Sequence, residues 1–198
     1  MGKGIPGSIR TGFDGPPAAA GQEADLALEL SYYNLKQMIL TYGMDIMVTP
    51  EFQQAFLQEH HYHTTVAEHS INVAVTGLIL CILLKYVHVD CDPESVVQAA
   101  LCHDLGIMGR EKKYRSEFEC CMRHPLESVE VARRILPDCS DRTLTAIETH
   151  MWPARPGCPK SVEGFVVTIA DKHAAIMECA HRTTSYHCRH IDFQYVIA

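Results

Sequence analysis

The sequence predicts an all-α bundle, and three observations carry that prediction. Apolar residues recur at helical spacing over most of residues 24–180. Residues that start and stop helices divide this stretch into lengths of one helix each. No segment alternates apolar and polar residues persuasively in the manner of a half-buried strand, and no internal repeat stands out.

Before this core, residues 1–23 are rich in Gly, Pro and Ala, a composition that buries little and reads as a flexible leader. A first helix follows from Glu23, with Leu26, Leu30, Tyr33, Met38 and Tyr42 near helical register and Gly43 as its stop. A second spans residues 50–60, with Pro50 in its first turn and Phe52, Phe56 and Leu57 inward. The third covers residues 66–87. Its most apolar part, residues 73–84, falls short of the roughly 18–20 residues a membrane span needs and reads as a core helix.

Asp92-Pro93-Glu94 places an N-cap, a proline at the first helical position and an acid in the first turn, opening a fourth helix that ends at His103-Asp104 before Gly106. His124-Pro125 opens another, with Leu126, Val129, Ala132, Ile135 and Leu136 inward and Pro137 ending it. Ser140 or Asp141 caps the next, which ends near Met151. Residues 152–160 carry Pro153, Pro156, Gly157 and Pro159 and form a loop. A last strong helix covers residues 161–180, and residues 181–198 form a polar tail of ambiguous structure.

One domain is expected, since 198 residues suffice for a sizeable core but not comfortably for two. The formal charge of −7 and the lack of a long basic block argue against a nucleic-acid polymer as partner, while leaving room for a local positive pocket. Met1-Gly2-Lys3-Gly4-Ile5-Pro6 leads into no apolar run, and Pro6 stands where a myristoylation motif wants Ser or Thr. Nine cysteines without a C-x-x-C pair fit buried small hydrophobes in a reducing cytosol better than a zinc ribbon or a disulfide framework. A cytoplasmic protein without a membrane segment is expected.

Against this ordinary background Asp171 stands out. It lies inside the apolar run Phe165-Val166-Val167-Thr168-Ile169-Ala170-Asp171-Lys172-His173-Ala174-Ala175-Ile176. A buried carboxylate there must be paired or bound to a cation, because desolvation otherwise costs several kcal/mol. Upstream stand His69, the pair His103-Asp104, His124 and His150, several of them at expected helix ends. Adjacent helical residues point about 100° apart, so His103 and Asp104 reach one site most easily where a helix stops. Side chains from such separate elements can converge in a bundle core, where helical proteins often build metal sites.

The segments Glu68-His69-Ser70, Ala100-Leu101-Cys102-His103-Asp104-Leu105-Gly106, Arg123-His124-Pro125, Glu148-Thr149-His150 and Ile169-Ala170-Asp171-Lys172 resemble the HD-domain superfamily of metal-dependent phosphohydrolases. The likeness spans residues 58–178. It implies a minimal metal set of His69, His103, Asp104 and Asp171, to which two-metal branches add His124 and His150, with Asp104 bridging the ions. Relatives that cleave cyclic dinucleotides carry a Lys straight after the Gly of this motif; Ile107 in that place argues against such a substrate. Mixed N/O ligation without thiolate suits iron, manganese, zinc or cobalt alike.

The resemblance therefore implies a phosphohydrolase acting on a small phosphomonoester or phosphodiester of nucleotide-like type, by attack of a metal-bridging hydroxide. Asp104, Lys172 and His61 are the expected catalytic residues. His61 would contact substrate or a metal-bound water. Lys172 and the basic loop Gly109-Arg110-Glu111-Lys112-Lys113-Tyr114-Arg115 would position phosphate, and Trp152 and Arg155 would contribute to a lid. His60, His63, His88, His173, His181, His187 and His190 are expected to be non-catalytic. Two rivals share the ligand pattern: a di-iron oxygenase of the same fold, and a non-catalytic ligand-binding module.

Overall fold

A computed structural model describes residues 18–60 and 64–181. Those residues form eight α-helices and one short 3₁₀ turn, with no strand among them. The helices are α1 (Ala18–Met47), α2 (Pro50–Ala55), α3 (Val66–Tyr86), α4 (Pro93–Cys102), α5 (Arg110–Lys113), α6 (Glu117–Ile135), α7 (Asp141–Thr149) and α8 (Val162–His181); the 3₁₀ turn, Leu105–Ile107, lies between α4 and α5. The expected all-α class is the observed one.

α3 forms the axis of the bundle, lying against α4 and α8, with α1 and α2 also touching it. Every residue of α3 from Ala67 to Leu78 is buried except Glu68, so the helix is apolar on nearly all sides where it is enclosed. Its 21 residues are long and apolar enough to cross a membrane by composition, although most of that surface is covered by neighbouring helices. Its N-terminus is fixed by a reciprocal capping box. Thr65 Oγ1 accepts from Glu68 N at 3.2 Å, and Glu68 Oε2 accepts from Thr65 N at 2.8 Å. This fixes the turn that carries His69.

Capping explains the other helix starts near the site. The Asp92 carboxylate accepts from Glu94 N, with Pro93 at the first helical position, as the sequence predicts. Ser140 caps α7 by accepting from Thr143 N at 3.1 Å.

Several boundaries depart from the sequence reading. α1 starts at Ala18, so residues 18–23 of the expected leader are helical, while residues 1–17 lie outside the described residues. Gly43 does not stop α1, which runs on to Met47; it lets α1 approach α4, since a Cβ there would meet Leu101 Cδ1 at 2.3 Å. α2 ends at Ala55 rather than His60, leaving Leu57 exposed. His124-Pro125 does not open a helix but sits within α6, which is nucleated at Ser116 with Glu117 and Glu119 in its first turn. Leu126 consequently faces solvent. Of the eight described cysteines only Cys81, Cys102 and Cys120 are buried, so the expectation that most serve as buried hydrophobes does not hold. Residues 182–198, including His187 and His190, lie outside the described residues.

Gly106 shows how tightly the site is built. A Cβ at Gly106 would lie 2.4 Å from the carbonyl oxygen of His124 and 2.5 Å from Ser128 N, both backbone atoms of α6. Its own N–H donates to Ser128 Oγ at 2.9 Å. Gly106→Ala must therefore push the 3₁₀ turn away from α6, and overpacking of this kind costs about 1–3 kcal/mol. We expect a loss of that size in urea unfolding; a change below about 0.5 kcal/mol, the usual range for an inconsequential surface substitution, would refute the close-approach argument.

Candidate metal centre

Six elements deliver the six expected ligands to one point, one ligand each. His69 lies in the first turn of α3, His103 forms the C-cap of α4 and Asp104 the N-cap of the 3₁₀ turn. His124 lies midway along α6, His150 is the C-cap of α7, and Asp171 lies midway along α8. All six are buried, Asp171 being the most exposed at 7%.

Asp104 is at the centre. Its Oδ2 faces Nε2 of His60 at 3.2 Å, of His103 at 3.3 Å and of His69 at 3.9 Å. Its Oδ1 faces Nε2 of His124 at 3.3 Å and of His150 at 3.6 Å. Asp171 Oδ1 completes the first group, 3.2 Å from His69 Nε2 and 3.9 Å from His103 Nε2. The two oxygens of one carboxylate thus face two separate sets of imidazole nitrogens.

The other ring nitrogens are occupied. His103 Nδ1 donates to Ala100 O at 2.7 Å, His124 Nδ1 to Cys120 O at 2.8 Å, and His150 Nδ1 to Ile147 O at 2.7 Å. A carbonyl only accepts, so these Nδ1 atoms carry protons, and in a neutral ring Nε2 presents a lone pair. His69 Nδ1 lies 2.9 Å from Glu178 Oε2, the carboxylate–histidine arrangement that orients metal ligands.

His103 Nε2 decides whether these residues suit a metal. Among the described residues it is buried without a hydrogen-bond partner, its lone pair set among the carboxylates of Asp104 and Asp171. Such an atom is costly unless a cation occupies the space before it. Nitrogen and carboxylate donors without thiolate suit a borderline or hard divalent ion. The residues fit a metal.

Without a metal, protons neutralise the cluster. Burial opposes charge on His69, but its hydrogen bonds to Asp171 and Glu178 raise it to about 10. Burial likewise opposes charge on His124, and Asp104 overrides it, again to about 10. Burial, reinforced by His103 and His124, pushes His150 down to about 3, so it stays neutral and accepts from His124 Nε2 at 3.0 Å. Burial would raise both carboxyls. The imidazoles around Asp104, chiefly His103 and His124, instead hold it well below the usual carboxylate range, and His69, His103 and Lys172 do the same for Asp171.

The structure thus brings together all six expected ligands. His61 lies outside the described residues. Lys172 lines the cleft, its Nζ donating to Asp171 Oδ2 at 2.7 Å and His150 O at 3.0 Å. Of the basic loop only Arg110 borders this cleft; Lys113 is paired with Glu127 and donates to Gly106 O, and Lys112 and Arg115 are not part of the cleft wall. Arg155 is held by Met122 O and Glu148 O, and Trp152 packs edge-on against Phe165, so neither borders the cleft as a lid would.

A model of the HD domain matches residues 66–176, more than half of the chain. The chain belongs to the HD domain family. No curated protein and no solved structure gives a match. The HD match begins with the first residue of α3 and ends in α8, so it takes in all six expected ligands; it places the chain in a superfamily of metal-dependent hydrolases, and the buried His/Asp cluster fits divalent-metal binding.

Two residues of this HD site lie outside that match. His60, expected to be non-catalytic, contacts Asp104 and groups with His69 and Asp104 as a further set of potential ligands. Glu178 is buried and binds His69 Nδ1, Asn72 Nδ2 at 2.7 Å and Thr64 Oγ1 at 3.3 Å. Its signal was present in the sequence: Glu178 lies two helical turns after Asp171, on the same face of α8. We expect Glu178→Gln to weaken metal affinity about 10–100-fold, the usual effect of losing such a partner. Competition with a chromophoric chelator measures it, and unchanged affinity would count against an orienting role.

Proposed function

We propose that this HD domain is a two-metal phosphohydrolase acting on a small phosphomonoester or phosphodiester of nucleotide-like type. The observation that carries the proposal is the central carboxylate, whose two oxygens face two distinct sets of imidazoles. In this reading His69, His103, Asp171 and Asp104 Oδ2 would hold one ion, and His124, His150 and Asp104 Oδ1 the other. When bound, such ions supply Lewis-acid stabilisation of phosphoryl oxygens and lower the pKa of water.

The chain supplies the rest. Four of the six, Asp104, His124, His150 and Asp171, line a cleft of about 250 Å³ whose wall includes Lys172 and Arg110. The Lys172 ammonium is anchored by Asp171 and His150 O, which fixes a positive charge beside the ligands for phosphate oxygens to meet. Arg110 adds a second cation at the cleft, loosely paired with Glu117 at 3.7 Å. Ile107, Cys121, Met151 and Ala175 form an apolar wall suited to the organic part of the substrate. A cleft of this size, in a chain of net charge −7, favours a small substrate over a nucleic-acid polymer.

The test is a panel of phosphomonoesters and phosphodiesters, nucleotides included, offered to protein loaded with iron, manganese, zinc or cobalt while oxygen uptake is followed. Phosphate release without oxygen uptake is expected. Fully loaded protein that turns over no phosphoester would overturn the proposal, and oxygen consumption with a mixed-valent iron signal would favour the oxygenase.

A further inference from the structure

A second chemical site lies at the other end of α3. Cys81 Sγ and Cys91 Sγ are 3.1 Å apart, sharing one hydrogen bond. Cys81 sits on α3 shortly before its last turn, and Cys91 directly precedes Asp92, the N-cap of α4. The connection between them is folded tightly by backbone hydrogen bonds. Val87 N and Val89 N both donate to Leu84 O at 3.0 Å, and His88 N donates to Lys85 O at 3.1 Å. His88 adopts a φ of 58°, a left-handed conformation uncommon for a residue other than glycine. The turn therefore brings Cys91 onto Cys81.

Both sulfurs are reachable. A cleft of about 300 Å³ is lined by Cys81, Cys91, Lys85, Asp90, Met38 and Pro93. Cys91 is half-buried, whereas Cys81 is nearly enclosed. From that geometry we infer that Cys81 and Cys91 form a reversible dithiol–disulfide site whose oxidant is a low-molecular-weight disulfide of the glutathione class.

The chemistry divides between the two residues. The hydrogen bond from Cys81 draws Cys91 below the ordinary thiol range, although burial and the carboxylates of Glu163 and Asp92 act the other way; the same bond pushes Cys81 up. Cys91, the more exposed of the two sulfurs, is thus the attacking thiolate. It displaces one sulfur of the incoming disulfide, which leaves as a thiolate and takes up a proton, and Cys91 is left in a mixed disulfide. Cys81 then gives up its proton, attacks the Cys91 sulfur and expels the second small thiol. Two protein thiols are oxidised, one small disulfide is reduced to two thiols, and the new bond requires the sulfurs to close by only about 1 Å.

The sequence makes the test direct. Trypsin releases residues 37–85, in which Cys81 is the only cysteine, and residues 86–110, which hold Cys91 and Cys102. After equilibration of the full chain with excess oxidised glutathione, non-reducing mass spectrometry should show these two peptides joined, and dithiothreitol should separate them. Cys102→Ser should leave the link in place and Cys91→Ser should abolish it. Cys81→Ser should trap Cys91 as a stable glutathione adduct, because the resolving thiol is gone. Absence of the joined peptides in the wild type, a link through Cys102, or an unmodified Cys91 in Cys81→Ser would each overturn the assignment.

Discussion

Asp104→Asn is expected to strip the HD site of its metal and to lower turnover by more than the roughly 10–100-fold that follows loss of an outer-shell partner. The substitution keeps the shape of the side chain but removes the charge on which five imidazoles converge, from His60, His69 and His103 on one side to His124 and His150 on the other. A neutral amide offers one weakly donating oxygen, so it cannot serve both sets of nitrogens at once. Metal content by elemental analysis should fall for both ions together, whereas Asp171→Asn, whose carboxylate faces only His69 and His103 among the imidazoles, should deplete one preferentially. Asp104→Ala adds a structural cost, since breaking a buried ion pair by removing one partner costs about 3–5 kcal/mol. His173, exposed on α8, provides a control: His173→Ala should keep full metal content. Asp104→Asn that retained both ions would sink the bridging role.

How far the sequence disclosed this site depends on the residue. His69, His103, Asp104, His124, His150 and Asp171 were legible because a charged or ligating side chain in an apolar helix, or at its end, needs a reason to be there. The elements that carry them were legible for the same local reasons, Asp92-Pro93 and Ser140 being caps whose side chains bond in their own first turn. His60 was not legible. It stands among His61 and His63 in a short stretch without helical period, and its place is set by tertiary contacts: His60 N donates to Thr64 O at 2.8 Å, and Glu59 bridges Thr65. Only that reversal of the chain before α3 carries its ring to Asp104. His124-Pro125 misled in the opposite direction, because proline favours the first helical turn, whereas here the cap at Ser116 starts α6 two turns earlier.

The second large effect is of pH, and it follows from protons and metal competing for the same nitrogens. In the metal-free fold His69 and His124 are raised to about 10, so between pH 6.5 and 10 the native state holds about two more protons than the unfolded chain. Their contribution to stability is complete below pH 6.5 and is lost as pH rises through 10. On the acid side His150, held at about 3, must stay neutral while its unfolded counterpart charges, so stability falls as pH drops below 6.5. Asp104 and Asp171, depressed in the fold, add a further loss below about pH 4. The melting temperature of chelator-treated protein should therefore peak near pH 6.5 and decline toward pH 10. Saturating metal should abolish the decline between pH 6.5 and about 8, because a cation then does what the two protons did; above that, the Cys102 thiol, pushed up by burial, adds a decline that metal leaves in place. By the same linkage, metal binding at pH 7 should release about two protons per protein, measurable by calorimetry in buffers of different ionisation enthalpy. A flat or rising melting temperature for the metal-free protein between pH 7 and 9.5 would mean that His69 and His124 do not hold those protons. The charge balance of the cluster would then have to be rebuilt.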